Sequence, residues 1–330
     1  MIRMKRRHAL LPLLLGLCSV RVAAQRPAAP VLHRIGWLDA GTPATAKSAV
    51  EGLRQGLSEL GYVEGRDLLI EFRWGEGRND RLLDLATELV RANVDVIVVN
   101  GEPGIRAARQ ATVTTPIVMG AVGDPVGAGF AASLARPGGN ITGVSNLAVE
   151  ITGKWFQLLR ETLPRIRHVA VLWNPANPTH HSFWREAQAA AQTVGVRVSR
   201  FDLTSPDDLE NVFVRMAAEQ VEGVVVLPDP LTNANRSRIA ELLVAGRLPA
   251  ITLFRESAEA GVLLSYGVGR FENLRRAAGY VDRIFKGAKP AEMPIEQATK
   301  FDLVVNLKTA RLLKIAIPRS LLARADEVIE

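Results

Sequence analysis

The chain has 330 residues, 48% of them hydrophobic and 23% charged, enough for two ordinary domains with sizeable cores. The formal charge is +7, but Arg3, Lys5, Arg6, Arg7 and Arg21 all lie in the first 24 residues, and the remainder carries +2. That balance calls for no polyanionic partner, and nucleic acid is set aside.

Residues 1–24 read as a secretory signal peptide. Met1–His8 is basic, and Ala9–Val20 is apolar but too short to span a bilayer. Val22-Ala23-Ala24 offers small residues for cleavage near Ala24. The expected location is the periplasm. General secretion is the default, because the residues after Arg6-Arg7 fit a twin-arginine signal poorly. Bulky Leu17 argues against lipid anchoring at Cys18, the only cysteine, so the processed chain holds its fold without disulfides. No later stretch is apolar for long enough to span a membrane.

From Leu32 on, strand-like and helix-like runs alternate. Strands are expected at Arg34–Asp39, Asp67–Phe72, Asp95–Asn100 and Pro116–Met119, with helices at Thr45–Leu60, Asp80–Ala92 and Glu102–Thr112. The strands are continuous Val/Ile/Leu runs, as parallel strands covered on both faces require. A glycine-rich turn, Gly120–Gly129, follows, and Ala128–Leu134 can begin a helix. Pro137-Gly138-Gly139-Asn140 then breaks structure, and Ile141–Asn146 is long enough to pass to a second unit.

The same pattern returns. Strands are expected at His168–Asn174, Val196–Phe201, Gly223–Leu227 and Ala250–Phe254, with helices at Ser182–Val194, Asp207–Glu219 and Asn235–Ala245. Ile35 and Val169 stand 134 residues apart, as do Gly61 and Gly195. Pro116 and Pro249 stand 133 apart, and Gly101 and Asp229 128 apart. Near-equal offsets argue for one α/β topology used twice. The tail adds Val262–Tyr266, a helix at Asn273–Lys286, a strand at Thr299–Asn306 and a helix at Lys308–Lys314. The expected architecture is two Rossmann-like parallel-sheet lobes joined by a hinge of three crossings, near Ile141–Asn146, Val262–Gly267 and Glu296–Phe301. Lobe 1 would take residues 31–142 and 268–292, and lobe 2 residues 143–262 and 296–330.

No metal site, nucleophile or cofactor signal emerges. The histidines are scattered, and the adjacent His180-His181 read as solvated residues. There is no G-x-S-x-G and no phosphate-cradling glycine motif. What recurs is a polar or Gly/Pro turn after each strand. In the first half these hold Asp39, Gly41 and Thr42, then Gly101 and Glu102, then Gly123 and Asp124. In the second they hold Asn174 and Asn177, then Asp229, then Phe254 and Glu256. Singly, each is an ordinary strand–turn–helix connection with a cap. Together, at the carboxyl ends of parallel strands of two facing lobes, they would line one cleft. Asn146 lies in the linker. Trp173 ends its strand where the first half has Asp39, and serves equally as cleft wall or core. Tyr266, near the proposed hinge, is a similar candidate. The turns carry five acids and one base, Arg255, a balance that favours a ligand with a positive group, and Asp124 is singled out to receive it.

These residues resemble a family. The distinctive runs are Gly61-Tyr62-Val63-Glu64-Gly65, Asp124-Pro125-Val126, and Arg136-Pro137-Gly138-Gly139-Asn140-Ile141-Thr142-Gly143-Val144-Ser145. To these are added Leu264-Ser265-Tyr266-Gly267, Phe285-Lys286-Gly287-Ala288-Lys289-Pro290, and Asn306-Leu307-Lys308-Thr309-Ala310. From about Leu32 to its end the chain resembles the ABC transporter substrate-binding proteins related to tryptophan- and tyrosine-binding importer components. The resemblance implies a type I periplasmic binding fold, two lobes closing on a small ligand, and delivery to the transmembrane subunits of an ABC permease. One departure is Asn100-Gly101-Glu102-Pro103, where the family often has a Gly/Thr-rich turn. The expected function is an extracytoplasmic solute-binding protein, monomeric and without catalysis, for an amino acid or amine-bearing ligand. The alternatives are a periplasmic sensor or ligand-presenting module, or a two-lobed transferase-type enzyme.

Overall fold

The computed structural model describes residues 32–146 and 148–330; the expected signal peptide lies outside the described residues. Thirteen strands are found among them: β1 (His33–Asp39), β2 (Leu68–Trp74), β3 (Val96–Asn100), β4 (Ile117–Val122), β5 (Ile141–Ser145), β6 (His168–Trp173), β7 (Arg197–Asp202), β8 (Gly223–Val226), β9 (Ala250–Thr252), β10 (Leu264–Gly267), β11 (Glu296–Gln297), β12 (Asp302–Asn306) and β13 (Glu327–Ile329).

The first sheet runs β11-β5-β4-β3-β1-β2, with every neighbouring pair parallel. Residues 96–99 are wholly buried because helices cover both faces. On one face Ile35, Trp37, Val96, Val98, Val118 and Val144 meet helices Lys47–Glu59 and Arg270–Phe285. On the other, Leu38, Ile97, Val99, Ile117 and Met119 meet Leu82–Arg91 and Glu102–Ala111. Leu82, Leu85, Ala86 and Leu89 show the helical spacing that makes such a covering stripe. Helices 47–59 and 270–285 approach closely through glycines. A Cβ at Gly52 would stand 2.1 Å from the Phe271 carbonyl oxygen, and one at Gly56 2.4 Å from that of Arg275.

The second sheet runs β13-β12-β10-β9-β8-β6-β7. Helices Thr152–Thr162 and Thr179–Val194 pack on one face, and Leu209–Ala218 and Arg236–Ala245 on the other. Only β10 and β12 pair antiparallel. The reason is topological: β10 runs out of its sheet into the first lobe, and the chain returns at the same end to start β12. The expected α/β architecture with two sheets and interleaved helices is present.

The chain passes between the sheets three times: after β5, at Val268-Gly269 between β10 and helix 270–285, and at residues 298–301 between β11 and β12. Details differ from expectation. Residues 141–145 are a strand of the first sheet, since buried Ile141 and Val144 sit beside β4, so this crossing starts at Asn146 rather than after residue 142. Residues 296–297 likewise pair with β5 in the first sheet. No helix forms at 128–134. Ala128 N–H donates to Asp124 O, Phe130 and Ala131 both donate to Pro125 O, and the turns drop Phe130 and Ala131 into the core. Among the described residues no helix is long and apolar enough to cross a membrane.

Candidate ligand-binding cleft

Three strands of each sheet, β1, β3 and β4 on one side and β6, β8 and β9 on the other, end at one cavity of about 80 Å³. All six turns reach it. Asp39 and Gly41, Gly101 and Glu102, and Gly123 come from the first lobe. Asn177, Asp229 and Phe254 come from the second, and Asn146 from the first crossing.

Asp39 is buried at the end of β1. Its carboxylate accepts from Gly41 N–H at 2.7 Å and Asn100 Nδ2 at 3.0 Å. Burial pushes its pKa above the usual carboxylate value, and those hydrogen bonds oppose the shift. Gly101 caps helix 102–111 with φ +101°, a conformation that side chains resist, and so turns the chain from β3 straight into the cleft wall. Glu102 follows it, paired with Arg106 at 2.6 Å; burial raises its pKa and Arg106 opposes the rise.

Asp229 is the centre of the opposite wall. It caps helix Pro230–Ala234, accepting from Leu231 N–H at 2.9 Å, and also receives Asn174 Nδ2 at 3.2 Å and Asn177 Nδ2 at 2.9 Å. Two successive turns are thereby tied together. His180 ties them again. Asn174 N–H can only donate and Pro228 C=O can only accept, so Nδ1 takes the first at 2.9 Å and a protonated Nε2 serves the second at 3.2 Å. Burial holds the His180 pKa below its ordinary value, in keeping with that neutral tautomer. His180 is thus wholly buried, not solvated as its sequence context suggests; His168 is buried as well.

Six expected residues lie elsewhere. Thr42 forms a local cap with Thr45, its N–H donating to Thr45 Oγ1 at 2.9 Å. Asp124 accepts from Gly127 N–H at 2.7 Å, closing its own turn. Trp173 is core: it donates to Asp202 and lies against His180, with Arg200 4.8 Å above its ring. Asn174 stands behind Asp229. Tyr266 stacks on Phe301. Glu256 is the second residue of the short helix Arg255–Glu259, outside the lining. Arg255, the base counted among the turns, is exposed and pairs with Glu259 and Glu327.

The lining also contains residues outside the expected set, notably Asn100, Thr179, Phe183, Asn233 and Arg270. Asn100 and Thr179 are immediate neighbours of the expected turns. Arg270 follows the second crossing, where only the Leu264–Gly267 run marked the hinge. Among the described residues no three His, Cys, Asp or Glu side chains converge to hold a metal ion.

A family model described as ABC transporter substrate binding protein matches residues 42–329. The chain belongs to this family. A curated relative, the tyrosine-binding protein of Clostridioides difficile (strain R20291), is 23% identical over 267 residues, 80% of this chain and 76% of its own. The structure of an ABC domain from Streptococcus pneumonia in complex with L-Trp is 25% identical, with a TM-score of 0.85 over 90% of this chain and 100% of that one. A conserved domain protein from Vibrio cholerae O1 biovar El Tor is 27% identical, also at 0.85, over 90% and 99% of the two chains. In this substrate-binding protein, then, the cavity between the two sheets lies where a type I binding fold places its cleft.

Proposed function

We propose that this substrate-binding protein captures an amino acid in the cleft and hands it to the transmembrane subunits of an ABC importer. It does so as an exported monomer in the periplasm, and no catalytic step is involved. The observation that carries the reading is the convergence of six strand-end turns from two sheets on one cavity, with carboxylates on both walls and a guanidinium between them. The tyrosine and L-Trp named for two relatives support the amino-acid class. The cavity, at about 80 Å³, is smaller than the ~150 Å³ that receives a benzene ring. The lobes must therefore open to admit such a ligand and close afterwards, and the three crossings are the hinge.

Thermal-shift screening of the mature protein against the twenty amino acids tests the reading, since a ligand that binds only the folded state raises its melting temperature. A selective rise with one or a few amino acids is expected. A response confined to sugars or polyols would overturn the ligand class. Mass spectrometry of the exported protein should show a chain beginning near Gln25; an intact Met1 would overturn the export reading.

A further inference from the structure

We infer that Arg270 is the cleft's receptor for a ligand carboxylate, so the transported substrate is an acid whose anionic group is read by this one guanidinium. The inference rests on the proposed binding function and specifies its ligand.

Arg270 lines the cavity and is 6% exposed. Its Nε is buried without a hydrogen-bond partner, and Nη1 donates only a long bond, 3.3 Å, to the Thr45 carbonyl. Among the described residues no carboxylate lies within ion-pair distance of it. Every carboxylate lining the cavity is instead engaged by the protein: Asp39 by Gly41 and Asn100, Glu102 by Arg106, Asp229 by three donors. The acids of the walls are structural, and the ionic group left with unused donors is the cation. A buried guanidinium with an idle edge is costly unless an anion completes it.

The setting suits an anion receptor. The guanidinium carbon lies 3.8 Å from the Phe254 ring centroid, a cation–π contact. Burial opposes the charged form of Arg270, as does Arg236, while Glu256 and Asp39 at longer range favour it; Glu256 Oε2 is likewise buried without a hydrogen-bond partner. Across the cavity, Asn233 Oδ1 and Thr179 Oγ1 are also buried without partners. Asn233 Oδ1 can only accept, so it asks for a donor on the ligand. Anion at Arg270 and donor at Asn233 describe the two ends of an α-amino acid. The contact also spans the cleft. Arg270 begins a first-lobe helix and Phe254 lies in the second-lobe turn between β9 and helix Arg255–Glu259, so an anion bound there would engage both lobes.

The test compares each acid with its own neutral and decarboxylated forms by calorimetry. The probes are L-tyrosine, L-tyrosinamide and tyramine, the matching tryptophan set, the remaining amino acids, and simple 2-oxo and 2-hydroxy acids. For whichever set binds, the acid should bind roughly ten- to hundredfold tighter than its amide, the range for hydrogen bonds to a charged group. Arg270→Gln should remove that preference, bringing the acid-to-amide ratio toward one, and Arg270→Lys should restore some of it. An acid-to-amide ratio near one in the wild-type protein overturns the inference, and that measurement does not depend on any variant folding. So does an unaltered ratio in a folded Arg270→Gln. If 2-oxo or 2-hydroxy acids bind with the Arg270 dependence and amino acids do not, the inference stands and the amino-acid reading falls. If only amines or amides bind, the inference falls and a binding function stands.

Discussion

Asp229→Asn puts the second-lobe wall to a sharp test. The carboxylate accepts from Leu231 N–H, Asn174 Nδ2 and Asn177 Nδ2. Asparagine caps helices about as well as aspartate, so the bond to Leu231 N–H survives. The other two cannot both survive, because the new side chain offers one oxygen and one NH₂. Neither neighbouring asparagine can flip its amide to compensate. Asn174 Oδ1 already accepts from Ala176 N–H at 3.0 Å, and Asn177 Oδ1 from Thr179 N–H at 3.2 Å. One buried donor must face another. The orphaned donor costs about 1–3 kcal/mol, loss of charge from the surviving bonds about 1 more, and relief of carboxylate burial offsets some of this, leaving roughly 2–4 kcal/mol. For a protein of this size that is a fall of roughly 5–10 °C in Tm, read by calorimetry and by the urea midpoint. Adding Asn177→Asp should recover most of the loss, since a carboxylate at position 177 can accept from both the new amide at position 229 and the Thr179 N–H. A single variant as stable as wild type, or a double variant no better than the single, would refute the donor-counting argument.

Asp39→Asn should behave oppositely. Among the described residues the Asn100 amide has no second partner, so it can flip to receive the new NH₂, and hydrogen bonds are kept while a buried charge is removed. Because burial raises the folded-state pKa of Asp39 above 3.8, its contribution to stability is full below the unfolded value and is lost as pH rises through the folded one. The variant should therefore match or exceed wild type at neutral pH and lose that advantage on acidification; urea titrations across pH giving a constant deficit would contradict this. Gly52→Val should cost about 3 kcal/mol, because its Cβ would press on the Phe271 carbonyl and push the two helices apart. Ligand affinity should fall with it, since the displaced helix carries Arg270; an unchanged urea midpoint would argue against the close approach. Small-angle scattering should show a smaller radius of gyration when a confirmed ligand is added, and an unchanged radius would argue against hinge closure.

The lobes were legible because parallel strands buried on both faces must be continuous Val/Ile/Leu runs, and Val96–Val99 and Val224–Leu227 are such runs. The turns that end them were legible for the same reason. Legibility stopped at the side chains. Asp124 stands out in a glycine-rich turn, and its Oδ1 accepts from Gly127 N–H three residues on. Local capping always competes for such a group and leaves no mark that tells the two uses apart. Trp173 was ambiguous because its repeat partner is the polar Asp39; the pairing of β6 with β7 hands it Asp202 as a partner for its indole N–H. Arg270 was invisible for another reason. It reaches the cleft because the chain re-enters the first lobe, and no local pattern around a helix's first residue records where that helix docks. His180 misled because a histidine next to another histidine looks solvated until Asn174 and Pro228 close over it.

Helix 270–285 and β11 complete a sheet whose other strands end at Ser145. The first lobe therefore cannot finish folding until strands β6 to β10 of the second lobe have been synthesised. Before that, Trp37, Val118 and Val144 lack the Leu274, Ala277 and Val281 that cover them. Closing so long a loop is slow, and an unfinished sheet face exposes apolar surface while it waits. The arrival of the helix at 270–285 thus sets when the N-terminal half can lock.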